Sequence, residues 1–228
     1  MQGRCMLLFA RDSDPALELL RACAPGCVRH VAIADFTRPG WRYAAGKPDE
    51  ARAVSQGKVI GAGDIGAVLC RISGVAPAEL VEIRPVDRAY VAAEINAFLL
   101  AWLTQFRGPR FNAPTPWSLC GPAWHEAKWT RLAARAGWPV APDGNAAQSA
   151  QATVIAGQVF GDAGPELARH AARLAHACEL AMLGVRFEHH GGAWRFAQAD
   201  PCPALDAQCA AAVLRAAGAM DESRKWAA

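Results

Sequence analysis

The sequence predicts an α/β fold whose first half is built on a parallel sheet. Short apolar runs at Cys5–Ala10, Val28–Ala34 and Gly63–Arg71 have the length and composition of buried strands. A helical stretch separates the first two, and a longer one follows the third. Strand, helix and strand in that order place the strands side by side with helices against the sheet.

The first helix opens at Asp12-Ser-Asp-Pro15, with acidic caps and a proline near its first turn, and stops at Pro25-Gly26. Residues 37–57 read as an irregular surface loop with an aromatic and basic cluster at Thr37–Tyr43, and Lys58–Ile60 as a short strand. Val91, Ile95, Phe98, Leu99 and Trp102 recur at helical spacing, which predicts a helix over Pro85–Phe106 that Gly108-Pro109 ends. Phe111-Asn112 is the next strand, Pro114–Pro122 a loop, and a helix bearing Trp124, Lys128, Arg131 and Arg135 follows. Residues 143–151 are polar and read as a linker. Pro165–Leu180 is a helix with Leu167, Ala171, Leu174 and Cys178 on one side. Leu183–Glu188 and Ala193–Gln198 form a hairpin across His-His-Gly-Gly, and Asp206–Ala217 is an Ala-rich closing helix. The organisation expected is a first domain at 1–115 and a second portion at 116–228, bridged by the helix over Pro85–Phe106.

Composition removes several classes of function. The net charge of +3 comes from 24 basic and 21 acidic residues with no run of five like charges, which does not suit a nucleic-acid partner. No apolar stretch approaches the roughly 18 residues of a membrane span. The short apolar run before Arg11 and Asp12 is not a signal peptide, so a cytoplasmic location is expected. Eight cysteines spread through a core-rich chain, with no Cys-x-x-Cys, read as reduced thiols. Cys5, Cys70 and Cys178 are expected to fill core space.

The segments Glu126–Pro142, Thr153–Phe160 and Leu183–Leu205 together resemble the ATP-grasp ligases. The first is similar to the helix, glycine stop and strand that lead into the nucleotide-binding half of that family. The second resembles a strand pair near the far end of the same half, and the third its closing hairpin and metal-binding loop. Asp64-Ile-Gly-Ala-Val-Leu-Cys-Arg71, then Tyr90 and Glu94 on a long helix, then Phe111-Asn112-Ala-Pro114, resemble the strand-rich N-terminal domain of one bacterial branch. The resemblance implies a reduced ATP-grasp-like C-terminal portion that lacks the central ATP-clamping sub-domain.

Departures from the family pattern decide what the resemblance implies for activity. ATP-grasp enzymes activate a carboxylate as an acyl phosphate, which needs cations on the phosphates and carboxylate-held magnesium. Counting back from Gly137, the register of the first family lysine falls on Glu126, and Lys128 lies about 200° further round the helix. The second lysine, the glycine-rich lid and the acidic hinge have no counterpart in residues 141–152. Arg186 stands where the family has an aspartate, and the Glu-x-Asn metal motif becomes Gln198-Ala-Asp200. The expectation is a catalytically degenerate protein with no catalytic residue and no cofactor. It would act by binding, as an accessory subunit or a homodimer, with a protein partner or a second copy. In the alternative, a carboxylate–amine ligase completed by a partner chain would bind Mg-ATP. Asp200 would then hold the metal, and Arg71, Lys128 or Arg186 would supply positive charge.

Other groups have ordinary explanations beside functional ones. Trp117, Trp124, Trp129 and Trp138 fill space vacated by the missing sub-domain or anchor a protein interface. Cys202, between two prolines and close to Asp200, is a marginal nucleophile. His189 and His190 belong to the hairpin turn, roughly 20 Å away along the strand. His170 and His176 do not share a helix face. The tail Arg224-Lys225-Trp226 reads as a solvated end.

Overall fold

The structure, a computed structural model, describes residues 4–140 and 148–218. The elements in order are β1 (Cys5–Phe9), α1 (Ala16–Cys23), β2 (Val28–Val31), β3 (Arg52–Ser55), β4 (Lys58–Gly61), β5 (Ile65–Cys70), α2 (Arg88–Gln105) and β6 (Arg110–Phe111). Then come α3 (Glu126–Arg135), β7 (Gln148–Ile155), β8 (Gln158–Gly161), α4 (Pro165–Ala177), β9 (Met182–His190), β10 (Ala193–Asp200) and α5 (Ala207–Ala216). The tail at 224–226 lies outside the described residues, as do 141–147 of the segment read as strand end and linker.

β2, β1, β5 and β6 form a parallel sheet in that order. β1 is buried on both faces, which is why it reads as an unbroken apolar run. Met6 and Leu8 face one core with α1 and α5. Leu7 and Phe9 face the other with Leu99, Trp102 and Leu103 of α2. Phe9, Phe36, Trp41 and Trp102 pack ring against ring there, and the indole of Trp102 donates to Arg52 O at 3.1 Å.

β10, β9, β7 and β8 form an antiparallel sheet. Its inner face (Ala150, Ala152, Val154, Leu183, Val185, Phe187, Phe196) packs against α3 and α4. One end of its outer face, with Ile155 and Met182, joins the core under α1 and α5. The two halves therefore share buried surface: α5 follows the second sheet in sequence but packs on α1 of the first.

Two stretches differ from the sequence expectation. The loop over 37–57 contains β3, which pairs with β4 in a hairpin. Its turn residues Gln56 and Gly57 have φ of 51° and 73°, the type I′ geometry, and glutamine gives no sequence signal for it. Gln148–Gln151, read as linker, begin β7 and pair with Arg186–His189. Ser149 and Gln151 face outward and Ala150 packs into the core, while Gln148 is exposed at the start of the strand. An edge of a half-exposed antiparallel sheet reads as polar sequence.

Candidate functional site

The C-terminal ends of β5 and β6 meet the second sheet along a seam. Ligands of open α/β sheets bind outside the carboxyl ends of the strands, at such a crevice. Asn112, just after β6, stitches the seam. Its Nδ2 donates to Met182 O at 2.9 Å and Pro201 O at 2.8 Å, and its Oδ1 accepts from Met182 N at 3.0 Å. It is buried and left-handed, with φ of 57°. Gly121 has φ of +128°, and a Cβ there would lie 3.0 Å from Pro201 Cβ, so the loop before α3 presses directly on the loop after β10.

Arg71, the last residue of the β5 run, lies in this seam. Its Nε donates to Asp14 Oδ2 at 2.7 Å and its Nη1 to Pro203 O at 2.9 Å. Asp200 ends β10 opposite Gly184, and its Oδ1 accepts from Cys202 N at 2.8 Å in a tight turn. Arg186 points from the exposed outer face of β9, with Nη1 on Glu188 Oε1 at 2.7 Å and Nη2 near Gln198 Oε1 at 3.4 Å. Lys128 does not join them. It lies on α3, against the inner face of the same sheet, with its ammonium 3.7 Å from the centre of the Trp124 ring.

The tryptophans separate in the same way. Trp129 and Trp138 are buried against the second sheet, and Trp124 packs at a tilt on Trp129 with centroids 4.8 Å apart. Trp117 alone stands out, 85% exposed. His189 packs on Trp194 and His190 on Glu188 at the turn end of the hairpin, away from Cys202.

Cys120 carries no motif and went unread in the sequence. It is buried in the core cluster against which Cys202 packs, and Ser118 Oγ lies 3.4 Å from its sulfur. The Cys202 hydrogen bond lowers the Cys120 thiol from its ordinary value against the effect of burial, and the same bond, with burial, raises Cys202. Deep burial pushes Cys70 up to about 12.

Asp200 and Glu188 cannot share one magnesium ion. Glu188, the second carboxylate of the outer face, lies opposite Arg195, four strand positions from the Gly184 that faces Asp200. That is roughly 13 Å along the strand, too far for one ion with oxygen ligands near 2.1 Å. Among the described residues no cluster of three or more His, Cys, Asp or Glu side chains could hold a metal ion, and no helix is long and apolar enough to cross a membrane.

No protein-family model matches the chain, and no curated protein does. Solved structures match along nearly the whole length of both partners. The ATP-grasp ligase PsnB, complexed with a phosphomimetic variant of its minimal precursor, Mg and ADP, superposes with a TM-score of 0.71 at 11% identity, over 96% of this chain and 99% of that one. The macrocyclase MdnC from Microcystis aeruginosa MRC, bound to precursor peptide MdnA, gives 0.68 at 9% identity over 87% and 92%. A RiPP-associated ATP-grasp ligase from Chryseobacterium gregarium, in complex with ADP and a leader and core peptide, gives 0.67 at 9% identity over 92% and 95%. Likeness at these identities is a likeness of fold: the chain has an ATP-grasp-like α/β fold containing a parallel sheet.

Proposed function

We propose that this protein is a catalytically degenerate ATP-grasp-like protein that acts by binding a peptide, with a protein partner or a second copy of itself. The observation that carries the reading is the engagement of its three candidate cations. Arg71 is committed to Asp14 and Pro203, Arg186 to Glu188 and Gln198, and Lys128 to the Trp124 ring on the other side of the sheet. Phosphoryl transfer needs such charges to converge on one triphosphate. Residues 141–147 alone separate Val140 from β7, a stretch too short for the clamping sub-domain of the ATP-grasp family. A reduced fold of this kind, in the cytoplasm and without cofactor, keeps a scaffold for recognition.

Peptide is the favoured ligand because the three structural neighbours are each described with a precursor or leader peptide bound. A cleft of about 560 Å³ between α2 and the loops after β5 and β6 offers a place, lined by Arg11, Asn96, Leu100, Trp117 and Leu119 among others. It combines an exposed indole with polar groups, the mixture that anchors extended chains. Titration calorimetry with Mg-ATP gives no binding heat under this reading; micromolar affinity for Mg-ATP overturns it. Light scattering after gel filtration reports self-association.

The second reading is a ligase completed by a partner chain. Its support is that Arg186, Gln198 and Asp200 all reach the exposed side of the β9–β10 hairpin. An ATPase activity that appears only with a partner protein, and disappears in Asp200→Ala, would establish it.

A further inference from the structure

Cys120 and Cys202 come from distant parts of the chain and meet in the seam. Cys120 lies in the core cluster with Leu99 and Trp102, Cys202 packs against that same cluster, and the Cys202 thiol donates to Arg71 O at 3.8 Å. Both loops are fixed at the backbone. On the Cys120 side, Leu119 N donates to Ser73 O at 2.9 Å and Gly121 abuts Pro201. On the Cys202 side, its own N–H is held by Asp200 Oδ1, while Asn112 grips Pro201 O and Arg71 grips Pro203 O. Cys120 is buried and Cys202 half-buried, so a small oxidant reaches the pair and a bulky disulfide does not. A sulfur–sulfur bond of about 2.05 Å would join two loops that already abut at Gly121 and Pro201, the residues next to the two cysteines.

We propose that Cys120 and Cys202 are a dithiol–disulfide site that a hydroperoxide closes, fixing the loop before α3 to the loop after β10. The site is independent of whether the chain binds nucleotide or peptide. Hydrogen bonds from Cys202 and Ser118 favour the thiolate at Cys120, which makes Cys120 the attacking sulfur. It attacks one peroxide oxygen, the oxygen–oxygen bond breaks, and the hydroxide that leaves takes up the proton Cys120 gave up. Cys120 is then a sulfenic acid. The Cys202 sulfur attacks the Cys120 sulfur, the sulfur–oxygen bond breaks, and water leaves with the Cys202 proton. Two thiols and one hydrogen peroxide become one disulfide and two waters; both sulfurs are oxidised and the peroxide is reduced. In a reducing compartment the pair stays open until peroxide arrives.

The test treats the reduced full-length protein with hydrogen peroxide, alkylates the remaining thiols and maps peptides without reduction. The result expected is a linked peptide joining Cys120 and Cys202 that a phosphine reductant reopens. In Cys202→Ser, dimedone traps a sulfenic acid at Cys120. In Cys120→Ser, oxidation at Cys202 is at least about tenfold slower than closure in the wild type. The proposal is overturned if no linked peptide forms in the wild type, or if Cys202 in Cys120→Ser oxidises as fast as the wild-type pair closes. The wild-type map decides alone should either variant fail to fold.

Discussion

Arg71 and Asp14 meet at 2.7 Å with their side chains only 7% and 13% exposed, so the ion pair lies inside the protein, at the end of β5. An arginine at the carboxyl end of a parallel strand is where a phosphate ligand would find one. Here the guanidinium is consumed by Asp14 and the Pro203 carbonyl, and it braces the start of α1 against the loop after β10. Arg71→Ala leaves a buried carboxylate and an orphaned carbonyl, and it is expected to cost about 3–5 kcal/mol in urea unfolding. Asp14→Ala should cost a similar amount, and the double variant much less than the sum. Additive losses would show that the two side chains act separately.

Asn112 makes three hydrogen bonds across the seam from a left-handed backbone. Asn112→Ala removes all three and leaves alanine in a left-handed conformation that asparagine tolerates better. The expected loss is about 3 kcal/mol, with one transition kept because the core clusters stay intact. Asn112→Asp keeps the acceptor for Met182 N but turns a carboxylate toward two carbonyl oxygens. It should be at least as damaging near neutral pH. A stability within experimental error of wild type for either variant would mean that the seam is held elsewhere.

The parallel sheet was legible because its strands are buried on both faces. β1 shows as Met-Leu-Leu-Phe, and α2 shows through Leu99 and Trp102. β3 and the first residues of β7 were hidden, since one ends in a Gln-Gly turn and the other starts with the exposed polar residues Gln148, Ser149 and Gln151. Arg71, Arg186 and Asp200 could be picked out by position, but their partners could not. Nothing in the order of residues says that Asp14 will meet Arg71, or that Lys128 will rest on Trp124 behind the sheet. Cys120 was invisible for the same reason: its significance comes from Cys202, which only the fold brings near.

Alkaline pH should weaken the protein through its buried thiols. Burial raises Cys70 from the ordinary 9.0 to about 12, with a weaker opposing effect from backbone hydrogen bonding at Ile72. The unfolded chain releases that proton near pH 9 while the folded one holds it. The stabilisation is therefore complete below pH 9 and is lost as the pH climbs toward 12. The slope expected from this one group is about 1.4 kcal/mol per pH unit. Cys70→Ala should be less stable at neutral pH because of the cavity it leaves, but its stability should fall more gently above pH 9. Parallel curves for the two proteins between pH 9 and 11 would rule out this origin.

The β7–β8 hairpin has its own point of failure at Gly161. Its φ is +112°, and a Cβ would lie 2.3 Å from the carbonyl oxygen of Gln151, a backbone atom that cannot swing aside. The same stretch is tied by Asp162 Oδ1, which accepts from Gln151 N at 2.6 Å, so relieving the clash means losing that bond as well. Gly161→Ala is expected to cost about 2–3 kcal/mol, through strained backbone and broken pairing with Ala152 at the end of β8. Gly63→Ala is the matched control. Nothing lies within 4 Å of a Cβ there, and its backbone is not in the left-handed region. It should change stability by less than about 0.5 kcal/mol. Amide exchange locates the effect: protection at Gln151 and Ala152 should fall in Gly161→Ala, while that of β1 and β5 follows only the global change. Equal loss of protection in both sheets would show that the hairpin is not a separable unit and that the strain spreads through the core shared under α5.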